Sequence, residues 1–296
     1  MSFNSFIPQL WIAKMLPILK NNHQFKVLTN RDYEGEIRAG GDSVIINQVS
    51  SPSINTYDRV NGITFQDLST TSQTMLIDQE KEWSIQVDDI DKVQVKNSGE
   101  LMTQSIQNGA YAYEDAVDQA LAAQYANAGI IGGSGQGALG TSASALEITV
   151  DGGGTSLKVS EWLARLGRRA AEAKLPEQLP KYLVVPPWLH QKMVMDKIVN
   201  PRGVNNDGTY RMGEVQFAYG FGIMVSNNVS YTSTKYRIMA GNRNCITFAD
   251  QIVRMEAGRR ESFFKDYIKV LHVYGMKTVR PDQLMLSYVS EGAEGQ

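Results

Sequence analysis

The sequence of 296 residues has one cysteine, three histidines and no long hydrophobic run. The lone Cys245 cannot form a disulfide within the chain, which is typical of a reducing compartment. His23, His190 and His272 are too scattered for the ligand spacing of a metal site. The apolar run 184–187 is far shorter than the roughly 20 residues of a membrane-spanning helix. We therefore expect a soluble protein with no metal, no cofactor and no membrane association.

The sequence also lacks an excess of charge of either sign. It has 29 basic and 31 acidic residues, a formal net charge of −2 and a pI near 6.0. This balance excludes a strongly basic nucleic-acid binder and suits a subunit that sits beside many copies of itself. The first residues, MSFNSFIPQLW, lack the basic and apolar regions of a signal peptide, so we expect the protein to stay in the cell that makes it.

Two segments resemble ligand sites only superficially. The glycine-rich stretch 132–137 lacks the Gly-Lys-Ser/Thr ending of a phosphate-binding loop and follows a predicted helix, so we interpret it as a loop. Asp88, Asp89 and Asp91 lack the spacing of a calcium-binding loop. A solvated strand end or an interface ion pair is the favoured interpretation of these aspartates, and a divalent-ion site is the alternative.

No pair of residues predicts catalysis. His272 lies in an alternating apolar strand, so a packed structural histidine is the favoured interpretation. Cys245 has no nearby histidine to activate it and is interpreted as a small buried hydrophobe. We expect no catalytic residue, and an enzyme with a dispersed site is the alternative.

The N-terminal quarter has little apolar content and opposite local charges. Residues 1–31 contain four basic residues and no acidic one, whereas residues 32–70 contain six acidic and two basic residues, giving +4 and −4. Residues 44–46 predict one short strand, and Ile63 with Phe65 a second. Because a two-stranded hairpin is marginally stable alone, we expect both segments to lie on partner surfaces.

The clearest helix follows. It extends from a capping Asn97 to Gly129, and its buried stripe is predicted to be Ile106, Ala110, Tyr113, Val117 and Leu121. Its length would be about 45 Å. Before it, apolar residues at odd positions from 75 to 87 predict a half-buried strand, or a hairpin that turns near 79–82.

The rest of the chain predicts a mixed α+β protein. The Gly- and Ser-rich segment 129–156 predicts a flexible linker at a domain boundary. A helix over 156–174, with Ala173 on its inner side, and another from Pro187 are expected. Strands are predicted at 182–185, 223–226, 236–240, 252–256, 267–274 and 284–289.

The order of these segments resembles the major capsid proteins of tailed bacteriophages, which have the Hong Kong 97 type of fold. The resemblance is carried by FIPQLW (6–11), NRDYEGEIRAGGDSVII (30–46), IDQEKEWSIQVDDIDKVQ (77–94), AYAYEDAVDQALAA (110–123), YLVVPPW (182–188), GFGIMVSNNV (220–229), IMAGNRNCITFADQIVRMEAGRRE (238–261) and VLHVYGMKTVRP (270–281). No single piece is diagnostic, but their joint occurrence in this order is specific.

The resemblance implies an α+β fold with four parts. These are an N-terminal arm (1–31), an extended β-hairpin loop (32–72), a peripheral domain (73–129 and 246–296) with a spine helix (97–129), and an axial domain (130–245). It also implies a homo-oligomer of pentamers and hexamers that forms an icosahedral shell around phage double-stranded DNA. The expected location is the virion, after assembly in the cytoplasm of the bacterial host.

The resemblance further implies certain partners. Packaged DNA would be contacted non-specifically, and a portal, decoration proteins and a scaffolding protein are possible partners. The scaffold would be a separate protein if the chain is complete. No lysine lies between 27 and 80, so a lysine crosslink from the extended loop is not expected. An encapsulin-like compartment with enzyme cargo is the alternative, followed by a phage tail or decoration protein.

Contacts between subunits are expected at charged residues and one tryptophan. The candidates are Trp11, Lys14, Lys20, Glu34, Glu36, Arg38, Asp58, Arg59, Arg165, Arg259 and Arg260. The opposite charges of the arm and the loop suggest that these two segments meet between neighbours.

Overall fold

The computed structural model describes residues 25–31, 43–50, 52–57, 59–60, 62, 65–67, 69–90, 98–133, 137–153, 156–196 and 217–293. Its helices are α1 (Ser98–Ala122), α2 (Val159–Glu172) and α3 (Pro187–Met195), with short 3-10 helices at Phe25–Leu28, Ala123–Asn127 and Pro281–Gln283. Its strands are β1 (Thr29–Asn30), β2 (Ser43–Val49), β3 (Thr70–Leu76), β4 (Gln79–Asp88), β5 (Ile130–Ile131), β6 (Leu146–Thr149), β7 (Leu157–Lys158), β8 (Lys181–Val185), β9 (Phe217–Ala218), β10 (Phe221–Val225), β11 (Tyr231–Thr232), β12 (Lys235–Asn242), β13 (Ile246–Arg259), β14 (Lys265–Thr278) and β15 (Leu284–Glu291). The mixture confirms the predicted α+β class.

A nine-stranded mixed sheet forms one half of the molecule. Its main order is β7-β6-β15-β12-β8-β10-β9, while β5 pairs with β15 and β11 with β12. Helix α2 contributes Trp162, Leu163 and Leu166 to the core, as its spacing predicts, and the Trp162 indole N–H donates to Ser287 Oγ at 2.9 Å. Ala173, predicted to face inward, is exposed because the helix ends before it.

A four-stranded sheet of order β1-β13-β14-β4 lies beside helix α1. The predicted stripe of α1 is buried, from Ile106 to Leu121. Helix α1 has 25 residues and is therefore about 37 Å long, shorter than predicted. The predicted end at Gly129 is wrong, because the chain tightens into a 3-10 helix after Ala122. Gly129 instead lies against Pro281, whose carbonyl oxygen accepts its N–H at 2.8 Å.

The two larger sheets and α1 share one contiguous hydrophobic core. Tyr113 of α1, Leu183 and Ile238 of the nine-stranded sheet, and Tyr274 of β14 are buried in it. The end of the predicted arm also belongs to this core, since Phe25 is buried in it and β1 pairs in parallel with β13. Residues 1–24 of the arm lie outside the described residues.

The strands β2 and β3 form a separate antiparallel ribbon. Strand β2 confirms the prediction at 44–46, but its partner is β3, and the predicted strand at Ile63 and Phe65 is wrong at Phe65, which is not in a strand. Ile63 lies outside the described residues. The β-branched threonines of β3 favour a strand, although its few apolar residues concealed it.

The segment from Met75 to Val87 is neither one strand nor a hairpin. It is split at Ile77 and Asp78 into β3 and β4, which pair with different strands, β2 and β14. The split lies over Gly275, where a Cβ atom would come within 2.5 Å of the Leu76 carbonyl oxygen. Glycine therefore permits the ribbon to pass close to β14.

The glycine-rich segment 129–156 is not a free linker in its described part. It contains β5 and β6, both paired with β15. Leu139 is fully buried, and its carbonyl oxygen accepts hydrogen bonds from Ser287 Oγ and Tyr288 N, each at 2.9 Å. The small residues allow close packing here, so composition alone was misleading. Within the described residues, no helix is long and apolar enough to span a membrane.

Candidate functional site

Only one face of the β2–β3 ribbon is buried against the rest of the chain. Val44, Ile46 and Met75 are buried in a small cluster with residues from β13 and β14. Ile45 and Leu76 lie on the opposite face and are mostly exposed. Side chains alternate along a strand, so the ribbon has a buried inner face and an outer face that the described part of the chain leaves uncovered.

The loop beyond the ribbon, called here the ribbon tip (residues 50–69), exposes large apolar side chains. Ile54 is 98% exposed and Phe65 93%, values close to those of an unfolded chain. The tip is nevertheless braced. Gln66 Oε1 accepts a hydrogen bond from Ser53 N at 3.0 Å, and its Nε2 donates to Ser53 O at 3.3 Å. Exposed apolar residues on a braced loop are typical of an interaction site.

A second exposed surface lies at the turn between β13 and β14, called here the sheet turn (residues 259–264). Phe263 and Phe264 are more than half exposed. The Arg260 Cζ lies 5.0 Å from the centre of the Phe263 ring, and the Arg259 Cζ lies 5.7 Å from that of Phe264. Arg259 also forms an ion pair with Asp89 at the end of β4. Cation–π stacking thus holds both rings at the surface.

The outer face of the four-stranded sheet carries a charged row. Glu256 forms ion pairs with Lys269 at 2.6 Å and with Arg254 at 2.5 Å. The hydrogen bond from Lys269 lowers the pKa of Glu256, and the same bond raises the pKa of Lys269. Because all three side chains face solvent, the row adds little to stability.

A concavity of about 420 Å³ opens on this outer face beside the sheet turn. It is lined by Ser84, Ile85, Gln86, Arg260, Tyr267 and Lys269. Its polar side chains and open shape suit a protein segment better than an enclosed small molecule.

His272 and Cys245, the two residues considered as catalytic candidates, are both buried. His272 is buried, its ring meets the Tyr113 ring edge-on with centroids 4.2 Å apart, and its Nε2 lies 3.6 Å from Asp250. Cys245 is fully buried, and burial raises its thiol pKa to about 12. The predicted burial of both residues is confirmed. Among the described residues, no group of three or more His, Cys, Asp or Glu side chains could hold a metal.

The predicted contact residues fall into two groups. Trp11, Lys14, Lys20, Glu34, Glu36, Arg38 and Asp58 lie outside the described residues. Arg59 is exposed on the ribbon tip. Arg165 pairs with Glu161 of its own helix at 2.8 Å, Arg259 pairs with Asp89, and Arg260 donates to Gln86 at 3.0 Å. Their roles between subunits stay predictions.

The exposed aromatic residues are the feature that sequence reasoning missed. Alternation predicts a strand at Phe65, and the sequence predictions above include neither Phe263 nor Phe264. The available signal was two adjacent aromatics in a polar stretch, RRESFFKD (259–266), at a turn between two strands. Apolar residues at a turn tip are unexpected unless another surface covers them.

Comparison with known proteins gives a consistent result. A family described as phage capsid protein matches residues 82–284, more than half of the chain. No curated protein matches the sequence. A solved structure from Mycobacterium phage Che8 is 27% identical, covers 88% of this chain and 89% of its own, and superposes with a TM-score of 0.65.

Two further solved structures have the same fold at lower identity. The capsid of the cyanophage P-SCSP1u is 18% identical, with a TM-score of 0.63, and covers 90% of this chain and 87% of its own. The mature capsid of bacteriophage PhiM1 is 12% identical, with a TM-score of 0.60, and covers 91% and 87%. These matches give no support to a compartment shell with enzyme cargo. The chain therefore belongs to the phage capsid protein family and is a major capsid protein with the Hong Kong 97 type of fold.

Proposed function

We propose that the chain assembles as pentamers and hexamers into a closed icosahedral shell around double-stranded phage DNA. Assembly takes place in the cytoplasm of the bacterial host. Each contact between subunits is modest, but every subunit makes several, and closed symmetry multiplies them into a stable particle.

One observation carries this proposal: the ribbon tip exposes large apolar side chains on a braced loop. Ile54 and Phe65 are almost fully exposed, although the Gln66–Ser53 hydrogen bonds hold the loop in place. A monomeric protein rarely maintains such a surface. In a shell, the neighbouring copy covers it.

We propose the predicted division into parts with one change. The arm (1–31), extended loop (32–72) and axial domain (130–245) keep their predicted bounds, and the spine helix is α1 (Ser98–Ala122). Strand β15 pairs with β12 and β6, so residues 284–296 are assigned to the axial domain instead of the peripheral domain. The peripheral domain then comprises 73–129 and 246–283.

The charged candidates are proposed as contacts between copies. The arm carries Lys14 and Lys20, and the extended loop carries Glu34, Glu36 and Asp58, so their opposite charges favour a meeting between neighbours. Reversing the charges of Lys14 and Lys20 should weaken assembly most at low salt, which light scattering at several salt concentrations would measure. Assembly that is unchanged at every salt concentration would contradict this contact.

The remaining partners follow from the same role. DNA is held by confinement, because the chain has a net charge of −2 and so lacks the strong positive charge of a dedicated DNA binder. A scaffolding protein, a portal and decoration proteins are the further partners. The chain catalyses no reaction.

The direct test is the size and shape of the purified protein, measured by sedimentation and negative-stain imaging. Closed particles, or sheets of pentamers and hexamers, are expected. A monodisperse monomer or dimer, insensitive to salt, protein concentration and added scaffold, would contradict the proposal.

A further inference from the structure

Arg260 keeps a charge that the described part of its own chain does not neutralise. Its Nη1 donates to the neutral amide oxygen of Gln86 at 3.0 Å, and its Cζ stacks on Phe263. The cations beside it differ, since Arg259 pairs with Asp89 and Lys269 with Glu256. A guanidinium held next to an exposed ring and a concavity is suited to bind a carboxylate with an aromatic neighbour.

The ribbon tip presents that combination of groups. Two hydrogen bonds hold Gln66 against Ser53, and its neighbours in the sequence are Phe65 and Asp67. Both are exposed, and Asp67 makes no ion pair with any described residue. A carboxylate and an aromatic ring two residues apart in the sequence complement the Arg260 guanidinium and the Phe263 ring, whose centre lies 5.0 Å from Arg260 Cζ.

The two surfaces lie at opposite ends of the same chain's sheet. Leu76 crosses β14 at Gly275, about ten residues and roughly 34 Å along the strand from the level of Arg260. Farther along the ribbon, Gln48 and Gln73 each donate to the carbonyl oxygen of Val279 at 3.5 Å, beyond the end of β14. The ribbon therefore leads away from the sheet turn of its own chain.

We infer that the concavity beside Arg260 receives Phe65 and Asp67 from the ribbon tip of a second copy of this chain. The Asp67 carboxylate pairs with the Arg260 guanidinium, and the Phe65 ring packs against Phe263. This inference rests on the proposed shell function and names one of its contacts. Repetition of the contact around each ring of subunits multiplies its effect on assembly.

Charge reversal and rescue test the pairing. Asp67→Lys and Arg260→Glu, made separately, should each raise the protein concentration needed for half-maximal assembly by about tenfold or more. The double variant should return within about twofold of wild type. Glu177→Lys and Arg243→Glu are the matched controls, since both residues are exposed and belong to neither the ribbon tip nor the sheet turn. Light scattering measures assembly, and circular dichroism checks that each variant is folded.

A second measurement tests proximity between copies directly. Chains carrying only Asp67→Cys are mixed with chains carrying only Arg260→Cys, assembled, and oxidised. A disulfide-linked dimer is expected from the mixture and not from either variant alone, because the native Cys245 is buried.

The outcomes separate the pairing from the shell function. If wild-type shells form but the single reversals behave like the controls, or the double variant shows no rescue, or the mixture gives no crosslink, the pairing is wrong and the shell function stands. If the wild-type chain forms no particle, the shell function fails and the pairing fails with it.

Discussion

The nine-stranded sheet and the β2–β3 ribbon bury their apolar residues against different partners. Helices α2 and α3 of the same chain cover the sheet, so Trp162 and Leu189 are fully buried. The ribbon packs one face against β13 and β14, whereas Ile45 on its other face and Ile54 and Phe65 at its tip are exposed to solvent. The comparison teaches that one capsid chain contains both a self-sufficient core and an apolar surface that the described part of the chain leaves uncovered.

The energies behind this difference are substantial. Burying one large apolar side chain stabilises a structure by about 1.5–3 kcal/mol. In the proposed shell the ribbon tip gains this stabilisation only on assembly, so substitutions there should change particle formation and leave the isolated subunit almost unaffected. The predictions below compare the two regions in unassembled subunits, from the largest effect to the smallest.

The largest contrast is expected in thiol reactivity. Burial raises the pKa of Cys245 to about 12 from 9.0, which lowers its thiolate population at pH 8 about a thousandfold. A Phe65→Cys variant places a thiol on the ribbon tip. Ellman's reagent at pH 8 should label that thiol quickly and label Cys245 only after unfolding. Equal labelling rates of the two thiols in the folded protein would contradict the difference in solvent access between the core and the ribbon tip.

Truncation of a core side chain should cost far more than truncation at the tip. Trp162→Ala removes a fully buried ring and its hydrogen bond to Ser287, so it should lower the free energy of unfolding by about 3–5 kcal/mol. Phe65→Ala should change it by no more than about 0.5 kcal/mol. Urea denaturation measures both. A cost at Phe65 comparable to that at Trp162 would mean that the tip is packed within its own chain.

Two helical glycines should respond in opposite directions to alanine. A Cβ at Gly109 would lie 2.7 Å from the Trp83 ring, whereas the nearest atom to a Cβ at Gly167 is 4.0 Å away. Gly109→Ala should therefore cost about 1–3 kcal/mol through overpacking. Gly167→Ala should gain about 0.5–1 kcal/mol from helix propensity. A gain at both sites in urea denaturation would show that Trp83 does not press on α1.

The smallest effect is expected at the end of α2. Lys174 has φ of +54°, and the hydrogen bonds Lys174 N to Ala171 O and Leu175 N to Ala170 O form a helix-ending motif that favours glycine. Lys174→Gly should raise the free energy of unfolding by about 1 kcal/mol. Lys174→Ala is the control and should give no gain. A similar gain from both would point to side-chain loss instead of backbone strain.

Local periodicity made much of the fold predictable. The stripe of α1 and the inner side of α2 follow from apolar residues spaced three and four apart, which requires no knowledge of partners. Strands β8, β10, β12 and β14 follow from apolar runs in the same way. The family resemblance then supplied the order of the parts.

The errors come from pairing and packing between distant residues. The partner of β2 is β3, whose Thr-rich sequence has little apolar signal, so the register could not be inferred locally. The glycine-rich segment forms β5 and β6 because both pair with β15, which lies about 150 residues later in the chain. Contact residues are the hardest case, since Phe65 and Phe263 belong to surfaces that one chain does not complete.

The most direct test of this account is hydrogen exchange with mass spectrometry on assembled and unassembled protein. Peptides covering α2 and β8 should exchange equally slowly in both states, because their core is complete within one chain. Peptides covering residues 50–69 should exchange fast in free subunits and become strongly protected in the shell. Exchange in 50–69 that is the same before and after assembly would contradict the claim that neighbouring copies complete this surface.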